Sequence, residues 1–271
     1  MSGKRRSQLD RLFRNALLAL DSGDVEKLKA LLEANPGLSR YQCRTGDRYE
    51  RGYFAGATLL HHIAGNPIRC PLPSNIIDVA RVLVSHGFDA TAGAETIGLL
   101  LTSKQASEAG VAAPLIDLLV EAGAEMDWSR RDLLDNPLLN VAPATARALI
   151  ARGAKMELRH AAGLGDLEAL ARLYRPQESD EALIYACIRG QTEAAAWLIH
   201  RGGQGDVLLQ PGGQTLRTAL HEAANRGHIE IVSLLLESGA RTDVIEPRWE
   251  GTPAGWADHG GHPEIAELLR R

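Results

Sequence analysis

The stretch at residues 218–243 constrains the fold most, because it encodes two short helices that cannot form a core alone. Thr218 suits the N-cap of a first helix, since its hydroxyl can accept a hydrogen bond from a backbone N–H. Gly227 suits the end of that helix, where a left-handed residue is favoured. A second, amphipathic helix begins near Glu230 and ends at Gly239. One such helix-turn-helix leaves an apolar face uncovered, so it needs neighbours stacked on both sides.

The same stretch resembles the ankyrin repeat. Its sequence, TALHEAANRGHIEIVSLLLESGARTD, follows the family pattern Thr-Pro-Leu-His-x-Ala-Ala, then Gly-His, a leucine-rich helix and Gly-Ala-Asp, with Ala219 in place of the proline. The resemblance implies an all-α fold: an ankyrin-type helix-turn-helix repeat solenoid with short hairpin-like fingers.

Weaker copies of this unit occupy most of the chain. The copies at Thr58 and Thr252 resemble the unit well, whereas those in the middle of the chain are more degenerate. In the third copy an extended turn is expected at residues 103–113, and the fourth copy is expected to be interrupted at Asn136-Pro137. Residues 1–11 are expected to form a polar lead-in, and residues 12–271 a single ankyrin-repeat domain of about eight degenerate repeats. The expected repeats are 12–37, 45–92, 93–128, 129–158, 159–178, 180–209, 210–246 and 247–271.

Composition limits the class of protein. Apolar residues make up 45% of the chain and aromatic residues 4%, so the core must consist mostly of Leu, Ala, Ile and Val. The net charge of −4 weighs against nucleic acid or an anionic membrane as a partner. The chain has no 18-residue apolar run, no visible leader and three widely spaced cysteines. We therefore expect a cytoplasmic protein with no cofactor or metal.

Catalytic motifs are also missing from the sequence. Neither a zinc-binding HExxH pattern nor a phosphate-binding P-loop occurs. The glycines at 202–205 lack the spacing of a dinucleotide-binding loop and are better interpreted as a flexible linker. His61 and His221 match the family histidine, which implies a structural role between neighbouring repeats. We therefore predict that the protein is not an enzyme.

Recognition is the remaining function, and the resemblance implies where it occurs. In ankyrin arrays the fingers and the two residues after each Ala-Ala pair line a concave groove. The matching helix positions and finger residues are Asn66, Arg189, Asn225, Arg226, His259, Tyr49, Tyr53, Arg217 and Trp249. Trp249 is the most informative, because a core role is hard to arrange in its polar finger. Trp256 lies inside a first helix, where packing competes with recognition. The predicted function is non-enzymatic binding of a protein or peptide in this groove.

A small-molecule site is the alternative. In this alternative, the segments 41–53 and 66–73 fold over the groove and close a pocket. That pocket would hold a ligand, or perform chemistry, with His62, Tyr185, Arg217, Glu222 and Trp249. A purely structural spacer is a third possibility, and it predicts that no groove substitution changes any binding.

Overall fold

A computed structural model gives the fold, and it describes residues 3–42, 56–65, 70–127, 132–140 and 142–271. The chain divides into two compact units, Met1–Trp128 (unit 1) and Ser129–Arg271 (unit 2). The described part of unit 1 contains one 3-10 helix, Leu59–Ala64. Its α-helices are α1 (Gly3–Ser22), α2 (Val25–Ala34), α3 (Ile76–Ser85), α4 (Ala90–Thr102), α5 (Lys104–Glu108) and α6 (Ala112–Glu121).

Unit 1 consists of two packed layers. In the first layer α1 packs on the 3-10 helix, which packs on α4. In the second layer α2 packs on α3, and α3 on α6. The interior is mainly leucine, isoleucine and alanine, as the composition predicts. Fully burying one such leucine or isoleucine contributes roughly 1.5–3 kcal/mol, so stacking these helices stabilises the unit.

Two segments of unit 1 are more helical than expected. The predicted polar lead-in at residues 1–11 is helical from Gly3 onward, as part of α1. Tyr41 helps to hold this end of α1, because its hydroxyl donates to the Asp10 carboxylate over 2.8 Å. The segment expected to be an extended turn at residues 103–113 contains α5, which begins where the Ser103 side chain caps the backbone N–H of Ala106.

Unit 2 is also all-helical across its described residues, apart from one isolated antiparallel bridge. Its 3-10 helices are Pro176–Glu178 and Pro211–Gly213. Its α-helices are α7 (Asp132–Leu139), α8 (Pro143–Ala151), α9 (Leu158–Leu164), α10 (Leu167–Leu173), α11 (Ser179–Arg189), α12 (Thr192–Ile199), α13 (Ala219–Asn225), α14 (Ile229–Glu237), α15 (Pro253–Gly260) and α16 (Pro263–Leu269).

Two layers also make up unit 2. In the first layer α7, α9, α11, α13 and α15 pack side by side in chain order. The second-layer helices each pack on the first-layer helix that precedes them, as α12 does on α11. Left-handed glycines make the tight turns within the pairs, with φ of +66° at Gly190 and +77° at Gly227.

Pro137 does not interrupt its helix as the sequence suggested. The helix α7 runs through it from Asp132 to Leu139. Because Pro137 is the sixth residue of a short helix, only the backbone hydrogen bond to the carbonyl of Leu133 is lost. Leu138 and Leu139 are buried and hold the last turn in place.

The glycine-rich segment before α13 is packed and is not a free linker. Leu209 and Arg217 pair as an antiparallel bridge, with N–H···O distances of 3.0 and 2.9 Å, and so close the 206–217 finger. At the base of this finger the carbonyl of Gly205 accepts from the N–H of Leu220. A Cβ at Gly205 would stand only 2.6 Å from Leu235, so glycine is needed here for close packing.

Candidate functional site

A buried polar network joins three first-layer helices of unit 2. Asp135 on α7 is 7% exposed, and its carboxylate accepts from Arg159 Nε at 2.8 Å, from His160 Nε2 at 2.9 Å and from the Tyr185 hydroxyl at 2.8 Å. His160 Nδ1 accepts the backbone N–H of Glu157, which makes Nε2 the donor toward Asp135. Buried charges need such partners, and here three donors surround one carboxylate.

The electrostatics of this network favour its ionised form. Burial opposes the charge of Asp135, but the bonds from His160, Arg159 and Tyr185 outweigh it and lower the pKa of this carboxyl to about 2. Burial and the Asp135 charge raise the pKa of the Tyr185 hydroxyl above its usual range. At neutral pH the tyrosine therefore stays a donor and the aspartate an acceptor. The arrangement stabilises the fold and leaves no group free for acid–base chemistry.

The 206–217 finger folds back over this network. Its tip, Pro211–Gly213, lies against α7 and α11. Gly212 has a φ of +57°, and a Cβ there would stand 2.4 Å from Leu139 and 3.9 Å from Asp135. The chain thus covers its own first layer at this end. We call α7, α9, the tip of the 206–217 finger and the four network residues Asp135, Arg159, His160 and Tyr185 the closed part of the first layer.

A second charged cluster links the same finger to α13. Arg217 Nε donates to one carboxylate oxygen of Glu222, and Arg226 Nε donates to the other at 2.7 Å. The remaining donors of Arg217 bind the Thr215 carbonyl at 3.0 Å and the Gln214 side chain at 2.8 Å. Arg217 and Glu222 are both buried, so they fix the base of the finger.

Arg189, at the end of α11, differs from these paired arginines. Its stem packs over Gly163 of α9, 3.5 Å from where a Cβ would stand. Its Nε is buried and has no hydrogen-bond partner among the described residues. Burial and the nearby charge of Arg226 lower the pKa of Arg189 below its usual range. A buried donor without a partner costs roughly 1–3 kcal/mol, so this guanidinium lies in an unfavourable environment.

The 246–251 finger is a rigid turn built around one buried carboxylate. Glu246 is 0% exposed and accepts the backbone N–H groups of Arg248 and Trp249 at 2.8 Å and that of Gly251 at 3.2 Å. Although burial opposes ionisation, these bonds and one from the Trp256 side chain lower the pKa of Glu246. The turn places its non-glycine residue Glu250 at a left-handed φ of 53°.

This turn displays a tryptophan to solvent. Trp249 is 61% exposed, although it makes an edge contact with Trp256 at a ring-centroid distance of 5.9 Å. The Arg248 guanidinium lies over its ring, 4.8 Å from the centroid. An open cleft of about 690 Å³ lies between the two fingers, lined by Leu216 and Thr215 on one side and Pro247 and Arg248 on the other.

We call the surface beyond the closed part the open part of the first layer. It runs over α11, α13 and α15 to the 246–251 finger, and these helices contact one another in order. Arg189, Asn225, Arg226 and Trp256 are half-buried on it, whereas Trp249 and His259 are exposed. These six predicted residues are at least partly accessible, and they lie on or next to the first-layer helices that pack side by side.

The other predicted residues lie elsewhere. Tyr185, Arg217 and Glu222 are buried and hydrogen-bonded within the chain, so they support the fold of unit 2. His62 is buried in unit 1, with its ring 6.0 Å from that of Phe13. The segments expected to close a pocket, 41–53 and 66–73, fall largely outside the described residues. Tyr49, Tyr53 and Asn66 lie among those undescribed positions.

Two important residues were not predicted from the sequence: Asp135, at the centre of the closed part, and Glu246, at the centre of the 246–251 finger. Asp135 lies between the leucine pairs at 133–134 and 138–139, and a charge among apolar helix residues signals a buried partner. Glu246 carries no such signal, because it stands in a polar segment beside a proline. Only the three-dimensional turn reveals that its carboxylate organises the finger.

Metal and membrane sites receive no support from the described residues. Among them, no three His, Cys, Asp or Glu side chains are placed to hold a metal ion. Over the same ranges, no helix has both the length and the apolar character needed to cross a bilayer.

Several known proteins are similar to parts of this chain. The relatives include the Caenorhabditis elegans ankyrin repeat and KH domain-containing protein mask-1, 29% identical over 72% of this chain, and the Oryza sativa potassium channel AKT1, 35% identical over 34% of this chain. The aligned regions span only 8% and 10% of those two proteins. The crystal structure of the human ASB11 ankyrin repeat domain aligns with a TM-score of 0.45 at 15% identity, covering 94% of this chain and 96% of that one.

The sequence profile described as ankyrin repeats (3 copies) matches residues 104–246 and 206–271, which is more than half of the chain. The helix pairs, the left-handed glycines between them and the histidine bonds occupy the positions that this family uses. His221 shows the last of these, since its Nε2 donates to the Gly251 carbonyl at 3.1 Å. The chain belongs to the ankyrin repeat family.

Proposed function

We propose that this protein binds a segment of another protein on the open part of the first layer of unit 2, without catalysing a reaction. Ankyrin repeats are generally protein-interaction modules, and their fold is typically non-enzymatic. The site within that fold must be argued from this chain's own residues.

The display of Trp249 carries the proposal. Tryptophan is enriched among the residues that dominate binding energy, because its ring gives a large rigid contact area and a hydrogen-bond donor. Here the ring is held outward by a turn whose backbone donors are fixed by the buried Glu246. The finger is therefore already ordered before a partner arrives, which lowers the entropic cost of association.

The surroundings of Trp249 fit the same function. Arg248 stacks on one side of the ring, and the cleft between the two fingers begins beside it. Leu216 lines this cleft and is itself exposed. An aromatic residue, an arginine and an apolar cleft wall together provide the mixed surface on which proteins bind one another.

A peptide-display experiment tests the proposal. A library of random 12-residue peptides is selected on the immobilised protein, and enriched peptides are titrated by fluorescence anisotropy. We expect Trp249→Ala to weaken their binding about 30-fold, the loss typical of a residue that dominates an interface. Leu18→Ala is the matched control, since Leu18 of unit 1 is 62% exposed and should not affect binding. The proposal fails if no peptide is enriched, or if both variants bind as tightly as the wild type.

A further inference from the structure

We propose that the segment bound on the open part is acidic, and that its carboxylate is received by Arg189 and Arg226 of neighbouring first-layer helices. The proposal rests on the function proposed above. It adds the chemistry of the partner and the spacing of its key residues.

The two arginines are neighbours, and Arg226 is paired with a carboxylate whereas Arg189 is not paired with any described residue. Arg226 is held by Glu222 through Nε alone, and its side chain remains 26% exposed. Glu222 is shared with Arg217, so one carboxylate serves two guanidinium groups. Arg189 forms no ion pair with any described residue, and its Nε has no partner. The cluster of three arginines and one glutamate therefore carries an excess of positive charge.

An incoming carboxylate is the group that relieves this arrangement. Arginine presents its donors in a planar fork that matches the two oxygens of a carboxylate. Because Arg189 is half-buried over Gly163, its charge is less screened than that of a surface arginine. Repulsion from Arg226 and burial both disfavour the free cation, as the lowered pKa of Arg189 indicates. A bound carboxylate offsets both penalties through its attraction to the two guanidinium groups.

The fold also sets the distance between the acidic residue and the apolar anchor. Packed helices have axes about 8–10 Å apart, and α11, α13 and α15 contact one another in order. Trp249 packs on Trp256 of α15. Arg226, at the end of α13, is therefore about one interhelical distance from α15, and Arg189, at the end of α11, about two. An extended peptide advances about 3.3 Å per residue. The bound segment should therefore carry Asp or Glu about three to six residues from a large apolar residue.

The test combines the composition of selected peptides with a double-mutant cycle. The peptides enriched from the 12-residue library should show an excess of Asp or Glu at that spacing. One enriched peptide and its Asp→Asn or Glu→Gln variant are then titrated against wild type and Arg189→Gln. We expect Arg189→Gln to weaken the acidic peptide about tenfold, with little further effect on the neutral peptide. Added salt should reduce the difference.

Two further variants keep the test decisive. Arg241→Gln is the control, because Arg241 is an exposed arginine of the same unit that pairs with Asp243, and it should leave affinity unchanged. Arg189→Lys keeps the charge without the fork and should retain part of the affinity, provided circular dichroism shows native helicity. The proposal is overturned if the enriched peptides carry no excess of acidic residues, or if Arg189→Gln weakens acidic and neutral peptides equally. In that case the effect of Trp249→Ala on peptide binding still tests the proposed function, independently of the acidic residue.

Discussion

The closed and open parts of the first layer in unit 2 use the same repeat and the same residue types. They differ in whether their charged side chains are paired within the chain. In the closed part Asp135 is surrounded by three donors, and the chain's own finger covers them. In the open part the Nε of Arg189 has no hydrogen-bond partner among the described residues, and Trp249 faces solvent. Buried polar groups that are satisfied internally stabilise a fold. A half-buried arginine whose charge is not paired within the chain can instead pair with a ligand.

The comparison separates two roles for one position of the repeat. Tyr185, Glu222 and Trp256 each stand four residues after the first residue of the repeat motif, in successive first-layer helices. Tyr185 binds Asp135, Glu222 binds two arginines, and Trp256 supports Trp249. The residue type at this one position thus decides whether that repeat is tied inward or supports an exposed anchor.

The largest expected effect is on the closed part. Asp135→Asn should reduce the free energy of unfolding by about 2–4 kcal/mol at neutral pH, because the donors of Arg159, His160 and Tyr185 lose their shared charged acceptor. Arg159 keeps its ion pair with Glu157 at 2.6 Å, so its charge is not left without any partner. Urea unfolding followed by circular dichroism measures this. Asp243→Asn is the control, since Asp243 forms an exposed pair with Arg241 and should cost less than about 0.5 kcal/mol. Equal losses in the two variants would contradict the assignment of the closed part as a stabilising network.

A smaller effect concerns pH. The pKa of Asp135 is lowered from 3.8 to about 2 in the folded state. Ionisation of this group therefore stabilises the fold fully above pH 3.8, and this contribution is lost as the pH falls toward 2. The gap in unfolding free energy between wild type and Asp135→Asn should narrow by about 2 kcal/mol from pH 4.5 to pH 2. An unchanged gap over that window would show that Asp135 is not held ionised by its neighbours.

The smallest effect has the opposite sign and lies in the open part. Glu250 adopts a left-handed φ of 53°, which costs a residue with a side chain about 1–2 kcal/mol. Glu250→Gly should therefore stabilise the protein by about 0.5 kcal/mol after the greater freedom of glycine in the unfolded chain is deducted. Thermal unfolding should show a rise of about 1–2 °C. Ala171→Gly, within the helix α10, should lower the midpoint instead.

The sequence predicts the fold well because the repeat is defined by local signals. Capping threonines, left-handed glycines and the leucine-rich helices follow from neighbouring residues, and the all-α ankyrin architecture is confirmed. The roles of Asp135 and Tyr185 depend on a contact between residues 50 positions apart, and no local pattern encodes it. The exposure of Trp249 agrees with its polar surroundings in the sequence, but the buried Glu246 that holds it was not foreseen.

The folded-back 206–217 finger has a consequence for how unit 2 unfolds. In a simple repeat array each repeat contacts only its neighbours, so the array can fray one repeat at a time from an end. Here the finger that precedes α13 rests on α7, three first-layer helices earlier. Losing α7 would uncover the finger and the buried carboxylate together. Amide hydrogens from α7 to α13 should consequently exchange with solvent as one cooperative block, while α15 and α16 open independently at lower free energy.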